Sequence, residues 1–425
     1  MKMKKSKSND SKGARTTAIN PIQRLCLIAL AAVLTTVPWF GKAANRFELE
    51  NSAGVDVDSA SLVRKTRAGK WGELTLVPIV ISPPMELVST ELGEVRRPAW
   101  YFPDADGDKA FRMLLSAGVK VVNASQLRAK AQPAPQINGI VLTPNPDWVR
   151  SLKPEVRARI YAMLAKCDLN RDQVHAFRYP GGNAETWLDA NLISSRTKQL
   201  IEPLIFRDGD YMMFSDLDLV REEIGNRDEL RRLSKTLFRQ PTVIAHLQVE
   251  PGSDLDTLVE YWGRGGRDIK IRPLIESAAQ NGTNGSIDVV YLLPPFAQEH
   301  LYCYPTFTGA DLDKPALVNC LWTSLNFFLP KPDDRFLDAA VALKTLREDY
   351  FIIEADFKLG DVVSFLDDEG HIFHSAVYIA DDILFSKNGI SSMAPWTLMS
   401  IDEVKEYYRW HSENPRVIVH RRKDL

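Results

Sequence analysis

The chain of 425 residues is short of several things, and each shortage excludes a class of reading. No apolar run approaches the ~20 residues that a membrane-spanning helix needs, since the longest, Leu25 to Val37, is too short. No glycine-rich loop of phosphate-cradling spacing occurs, and no histidine pair has metal-ligand spacing on a helix. Asp104, Asp106 and Asp108 begin like a calcium loop, but Lys109 stands where glycine and Leu115 where glutamate is required. Asp168, Asn170 and Asp172 fail in the same way at Gln173 and Tyr179. His371 and His374 are three apart on an expected strand, which puts them on opposite faces. No cofactor and no metal are expected.

Basic residues lead the N-terminus (Lys2, Lys4, Lys5, Lys7, Lys12, Arg15, Arg24), then the apolar run, then small residues around Gly41, Ala43 and Ala44. That order reads as an export signal or N-terminal anchor over 1–44, giving a periplasmic or secreted protein. A cut after Ala43 would leave 45 basic against 54 acidic side chains, a net charge of −9. So acidic a chain is a poor partner for nucleic acid or anionic lipid, and membrane contact is expected only through an uncleaved anchor.

Only 4 cysteines are present. Cys26 falls in the signal, leaving Cys167, Cys303 and Cys320, an odd number with at least one free thiol. A Cys303 to Cys320 disulfide with an inert Cys167 and a reactive Cys320 are both open on this count.

With 45% hydrophobic and 25% charged residues the chain is globular and too long for one ordinary core. The reading is α+β, divided as a small α/β segment and linker over 45–135, a mixed, mainly helical domain over 136–300, and a C-terminal domain over 301–425. Lys130 to Pro135, with its close prolines, is the expected linker. Leu152, Val156, Ile160 and Leu164 predict one helix face, and Leu217 to Leu237 continues the pattern. Thr242 to Val249 predicts a strand, a helix capped by Ser253 runs to Trp262, another helix covers Ile271 to Ala279, and Ile287 to Leu293 predicts a strand. Gly263-Arg264-Gly265-Gly266-Arg267 is a helix stop in this acidic context.

The chemistry concentrates late in the chain. Asn319-Cys320 starts a helix whose apolar stripe is Leu321, Trp322, Leu325, Phe328 and Leu329, leaving Cys320 and Ser324 at its edge. A thiol at a helix start ionises more easily, and an imidazole beside it can hold the thiolate and protonate a leaving amine. Gly360-Asp361-Val362-Val363-Ser364-Phe365 and His374-Ser375-Ala376-Val377-Tyr378-Ile379 follow as strands. On the second, His374, Ala376 and Tyr378 share a face, and the alanine leaves room for the cysteine helix.

In that order these motifs resemble the NlpC-type superfamily of papain-like cysteine peptidases, which mostly cut bacterial cell-wall peptides. The resemblance covers about Asn319 to Leu398 and implies a C-terminal papain-like domain with the cysteine helix packed on an antiparallel sheet. It implies thiolate attack by Cys320 on a peptide or peptidoglycan amide, His374 as base and then acid, and Asn388 or Lys387 as the third polar group. Ser324, Trp322 and Tyr378 would line the pocket, and the Cys320 N–H would donate to the oxyanion. The sequence departs from the family at Leu321 and Trp322, where small residues are usual, and at Asn319, where aspartate is common. A papain-like binding or scaffold protein of the cell envelope without turnover is the alternative, and a third reading makes the region before Cys303 an inhibitory or substrate-selecting module of the hydrolase.

Overall fold

The structure, a computed structural model, describes residues 63–88, 98–189, 191–250, 252–280, 285–305 and 318–425. The expected signal over 1–44 lies outside them. Among the described residues, no helix is long and apolar enough to cross a membrane.

The fold is α+β, and its four sheets pair antiparallel throughout. The first sheet holds β1 (Arg64–Lys65), β2 (Glu73–Ile81), β9 (Gln240–Gln248) and β10 (Ser286–Asp288), in that order. Between β9 and β10 run α1 (Leu255–Trp262) and α2 (Asp268–Gln280), the strand, helix, helix, strand unit that the periodicity predicts. Two details differ. Asp254, not Ser253, caps α1, because its carboxylate takes the Thr257 N–H. The apolar run Ile287 to Leu293 holds only the end of β10 before a 3-10 turn, since Asp288 accepts the Val290 N–H and bends the chain.

Two three-stranded sheets lie in the middle of the chain. One has the order β3 (Trp100–Phe102), β5 (Gly139–Leu142), β4 (Gln132–Ala134); the other β6 (Phe177–Pro180), β8 (Tyr211–Phe214), β7 (Phe206–Asp208). The expected linker therefore contains β4. Its Pro133 is tolerated because β4 is an edge strand, where a missing N–H breaks no ladder. Pairing of β2 with β9 also ties residues 73–81 to 240–248, and one core holds Leu74, Leu247, Ile275 and Leu321. The apolar packing thus runs across the boundaries expected at 135 and 300.

The largest sheet positions the site. Its order is β11 (Tyr350–Ile353), β16 (Arg416–Arg422), β12 (Val362–Leu366), β13 (Ile372–Ala380), β14 (Ile383–Lys387), β15 (Trp396–Ser400). β12 to β15 form a meander, while the C-terminal strand returns to lie between β11 and β12. On one face Val362, Val377, Ile379, Phe385 and Leu398 meet α3 (Cys320–Asn326) through Leu321, Trp322 and Leu325. On the other, Val363, Phe365, Ala376, Tyr378 and Leu384 meet α5 (Ile401–Tyr407). A further helix, α4 (Ala339–Asp349), leads into β11.

The Gly360-Asp361 turn locks this arrangement. Gly360 has φ +87°, and a Cβ there would fall 1.9 Å from the ring of Phe328, just beyond α3. Asp361 is wholly buried, accepts the Lys358 N–H, and binds both Arg264 and Arg421. Arg264, from the loop after α1, also donates to the Leu359 carbonyl. The glycine and arginine loop is therefore a helix stop with a second task, clamping the turn that enters β12.

Candidate functional site at the start of the cysteine helix

Asn319 caps α3 by accepting the Trp322 N–H at 2.8 Å. Cys320 is the first helical residue and is partly exposed. Trp322 is not a pocket wall. It is buried, packs on Phe296 and near Trp396, and donates from Nε1 to Asp334. Thr323 accepts the Trp396 indole N–H, and Ser324 lies 3.1 Å from the Ser375 hydroxyl.

His374 does not meet Cys320. Strand alternation sends Ser375, Val377 and Ile379 toward α3 and His374, Ala376 and Tyr378 toward α5, so the imidazole and the thiol occupy opposite faces of the sheet. The space beside Ala376 is filled by α5, not by the cysteine helix. His374 is fully buried, stacked on Tyr408, and its Nε2 lies 2.9 Å from the Ser386 hydroxyl. Ser386 donates to Asn388, which donates to the Met399 sulfur. Because the Ser386 proton is committed to Asn388, Nε2–H of His374 is the donor and Nδ1 is left as a bare acceptor without a partner. Burial, helped by the charge of His411, pushes the His374 pKa down to about 3. Asn388 takes no hydrogen bond from the imidazole itself and is linked to His374 only through the Ser386 hydroxyl. Tyr378 lies on the same far face, edge-on to Phe357 and Trp71.

On the face that receives α3, a row of side chains crosses the sheet. Ser364 pairs with Ser375, and Lys387 pairs with Trp396. The β13–β14 ladder ends at Val377 and Phe385, and counting on by two places Ser375 opposite Lys387 where that ladder has opened. Ser364, Ser375, Lys387 and Trp396 therefore form one rank on the α3 side. Ser375 stands where the β13–β14 ladder has opened and touches Ser324, one turn of α3 from Cys320, and its N–H and hydroxyl, with the first N–H groups of α3, act to lower the Cys320 pKa. Ser364 Oγ is buried and unpartnered.

Lys387 is fully buried. Its Nζ donates to the carbonyls of Gly389 (3.0 Å) and Ser391 (3.1 Å) and stands 5.6 Å from the centroid of the Trp396 ring. Burial pulls its pKa down to about 7, against the opposing attraction of Cys320. A neutral amine has two N–H bonds; two carbonyls take them, and its lone pair remains free in a fixed direction.

The thiol departs from expectation. Burial raises its pKa, and the N–H and hydroxyl donors of Ser375 and the helix start only partly offset this. The seven-residue helix does not overcome the desolvation. Cys320 therefore rests as a thiol and needs a base to ionise. Cys167 and Cys303 are also free thiols, one buried and one exposed.

Ser375 and Ser364 were legible as small polar residues inside apolar strands. Their place was hidden because it depends on which face receives α3. A separate group, Asp367, Glu369 and His371, converges in the β12–β13 turn with ligand atoms within 4.8 Å. Asp367 already accepts the His371 N–H and lies 3.4 Å from its Nδ1, so hairpin geometry accounts for the cluster. His371 precedes β13 and is not a strand residue. Comparison of the chain with family models, curated protein sequences and solved structures gave no match.

Proposed function

We propose that the chain is a thiol hydrolase of amide bonds, with Cys320 as nucleophile and Lys387, in place of His374, as its acid and base. The observation that carries this reading is the orientation of Lys387: both amine protons are held by carbonyls on the face that presents the thiol. A structural lysine in a core would be replaced by an apolar residue at no loss, because burying its charge is costly. Here the buried amine has a partner with chemistry to perform.

In the first step the Lys387 amine takes the thiol proton and the sulfur adds to the amide carbonyl, whose oxygen gains the negative charge. The Cys320 N–H is the nearest candidate donor to that oxygen. Collapse of the adduct breaks the C–N bond, and the Lys387 ammonium gives its proton to the departing amine. Water, deprotonated by the same amine, then adds to the thioester and releases the carboxylate and the thiol.

The basic, apolar, small order of the N-terminus supports an exported enzyme, and the family resemblance of Asn319 to Leu398 supports cell-wall peptides as substrate within a papain-like C-terminal domain. The helix on one face of an antiparallel sheet is compatible with that architecture. The alternative, a binding protein without turnover, draws on the sealed His374 and the bulky Leu321 and Trp322. Incubating the purified chain with muropeptides decides between them. Release of new amino termini that disappears in both Cys320→Ala and Lys387→Met supports the proposal; release that persists in Cys320→Ala overturns it.

A further inference from the structure

The mechanism above leaves one polar pair without a task. Ser324 and Ser375 are both buried, in the core beside an ionisable sulfur, with their hydroxyl oxygens 3.1 Å apart. Two hydroxyls can share only one proton along that line. If Ser324 donates to Ser375, the Ser375 proton is free to turn elsewhere, and because the β13–β14 ladder has opened at Ser375 its N–H is also free of a β14 partner, on the face that receives α3 and Cys320. Ser324 lies one helical turn from Cys320, so a single short helix sets both the sulfur and the hydroxyl that orients its neighbour.

We propose that Ser375, oriented by Ser324, is the thiolate-stabilising residue of this site: its N–H and O–H together bind the Cys320 sulfur when the thiol proton has left. Nothing in apolar packing calls for this arrangement. Val377 and Ile379, the next two residues on that face, are apolar and wholly buried. Ser364, directly across the ladder from Ser375, adds a further buried hydroxyl with no partner, which marks the rank as polar beyond what the hydroxyl pair itself requires. Proton balance is simple: Lys387 gains the proton that Cys320 loses, while Ser324 and Ser375 keep theirs and only reorient.

The inference rests on the proposed hydrolase for its purpose, but its test needs no substrate. The full chain is alkylated with iodoacetamide across a pH series, and the rate at Cys320 is read from the mass of its own peptide, which separates it from Cys167 and Cys303. Ser375→Ala is expected to raise the pH midpoint of alkylation by about one unit, a tenfold slower reaction below the midpoint. Ser324→Ala should move it in the same direction by less, and Ser375→Thr, which keeps the hydroxyl, should restore it. A midpoint unchanged in Ser375→Ala, with the circular dichroism spectrum and melting retained, overturns the proposal. Should Ser375→Ala fail to fold, Ser324→Ala carries the test alone, and an unshifted midpoint there is equally fatal. Absence of muropeptide cleavage would sink the hydrolase reading and leave this result standing.

Discussion

His374 and Tyr408 stack face to face, ring centroids 4.3 Å apart at 26°, on the side of the sheet away from Cys320. The contact turns the expected catalytic base into a piece of core, with Phe365 on the neighbouring strand 5.8 Å from the imidazole. Replacing it by alanine should therefore be a stability experiment. His374→Ala is expected to cost about 3 kcal/mol in urea unfolding, as for other large buried rings, while the Cys320 alkylation midpoint stays put. A shifted midpoint in a folded His374→Ala protein would mean that the imidazole acts on the thiol after all.

Why the sequence misassigned this residue is physical. The alternation along β13 is read correctly: His374, Ala376 and Tyr378 do share a face. All of His374 to Ala380 is buried, however, so the usual contrast between an apolar face and a wet one is missing. Period two then says which residues travel together, not which helix they meet. The local motifs Asn319-Cys320 and Gly360-Asp361 were legible because each is settled within a few residues, by a cap and by a positive φ. The pairing of β2 with β9 and the return of β16 beside β12 are long-range, and no local pattern carries them.

Acid should unfold the protein through its buried imidazoles. His374 and His420 are held neutral, with burial depressing their pKa values to about 3 and about 4. The unfolded chain protonates them near the ordinary 6.5, so it binds more protons than the fold as pH drops. Their stability contribution is complete above pH 6.5 and is lost progressively as pH falls toward those values, each at about 1.4 kcal/mol per pH unit. His420 Nε2 has no partner, so His420→Phe should fold. Its unfolding free energy between pH 6 and 4 should fall with a slope smaller by one proton; an identical slope would remove His420 from the account.

Gly360→Ala should be severe. The site combines φ +87° with a Phe328 ring carbon 1.9 Å from the new methyl, so both strain and displacement of the segment after α3 follow. A loss of more than about 2 kcal/mol is expected, with faster Cys320 alkylation in the surviving fold because α3 can no longer seat. Wild-type melting would show that Phe328 gives way freely and that the turn does not hold the helix.

Lys387 provides a contrast between stability and activity. Its ordinary pKa of 10.5 in the unfolded chain falls to about 7 in the fold, so the fold binds fewer protons between these values and gains stability as pH rises from 7 to 10.5. The converse is a penalty that is fully present below pH 7, since the ammonium must then be either buried or discharged. At about 1.4 kcal/mol per pH unit the penalty amounts to a few kcal/mol. Lys387→Met removes the ionisable group and keeps much of the volume. The variant should be more stable than wild type at pH 7 in urea unfolding, with the advantage shrinking toward zero by pH 10.5, while thiol-dependent turnover disappears. Lost turnover in a more stable protein would assign the cost of burying Lys387 to chemistry, whereas a Lys387→Met protein no more stable than wild type at pH 7 would overturn that assignment.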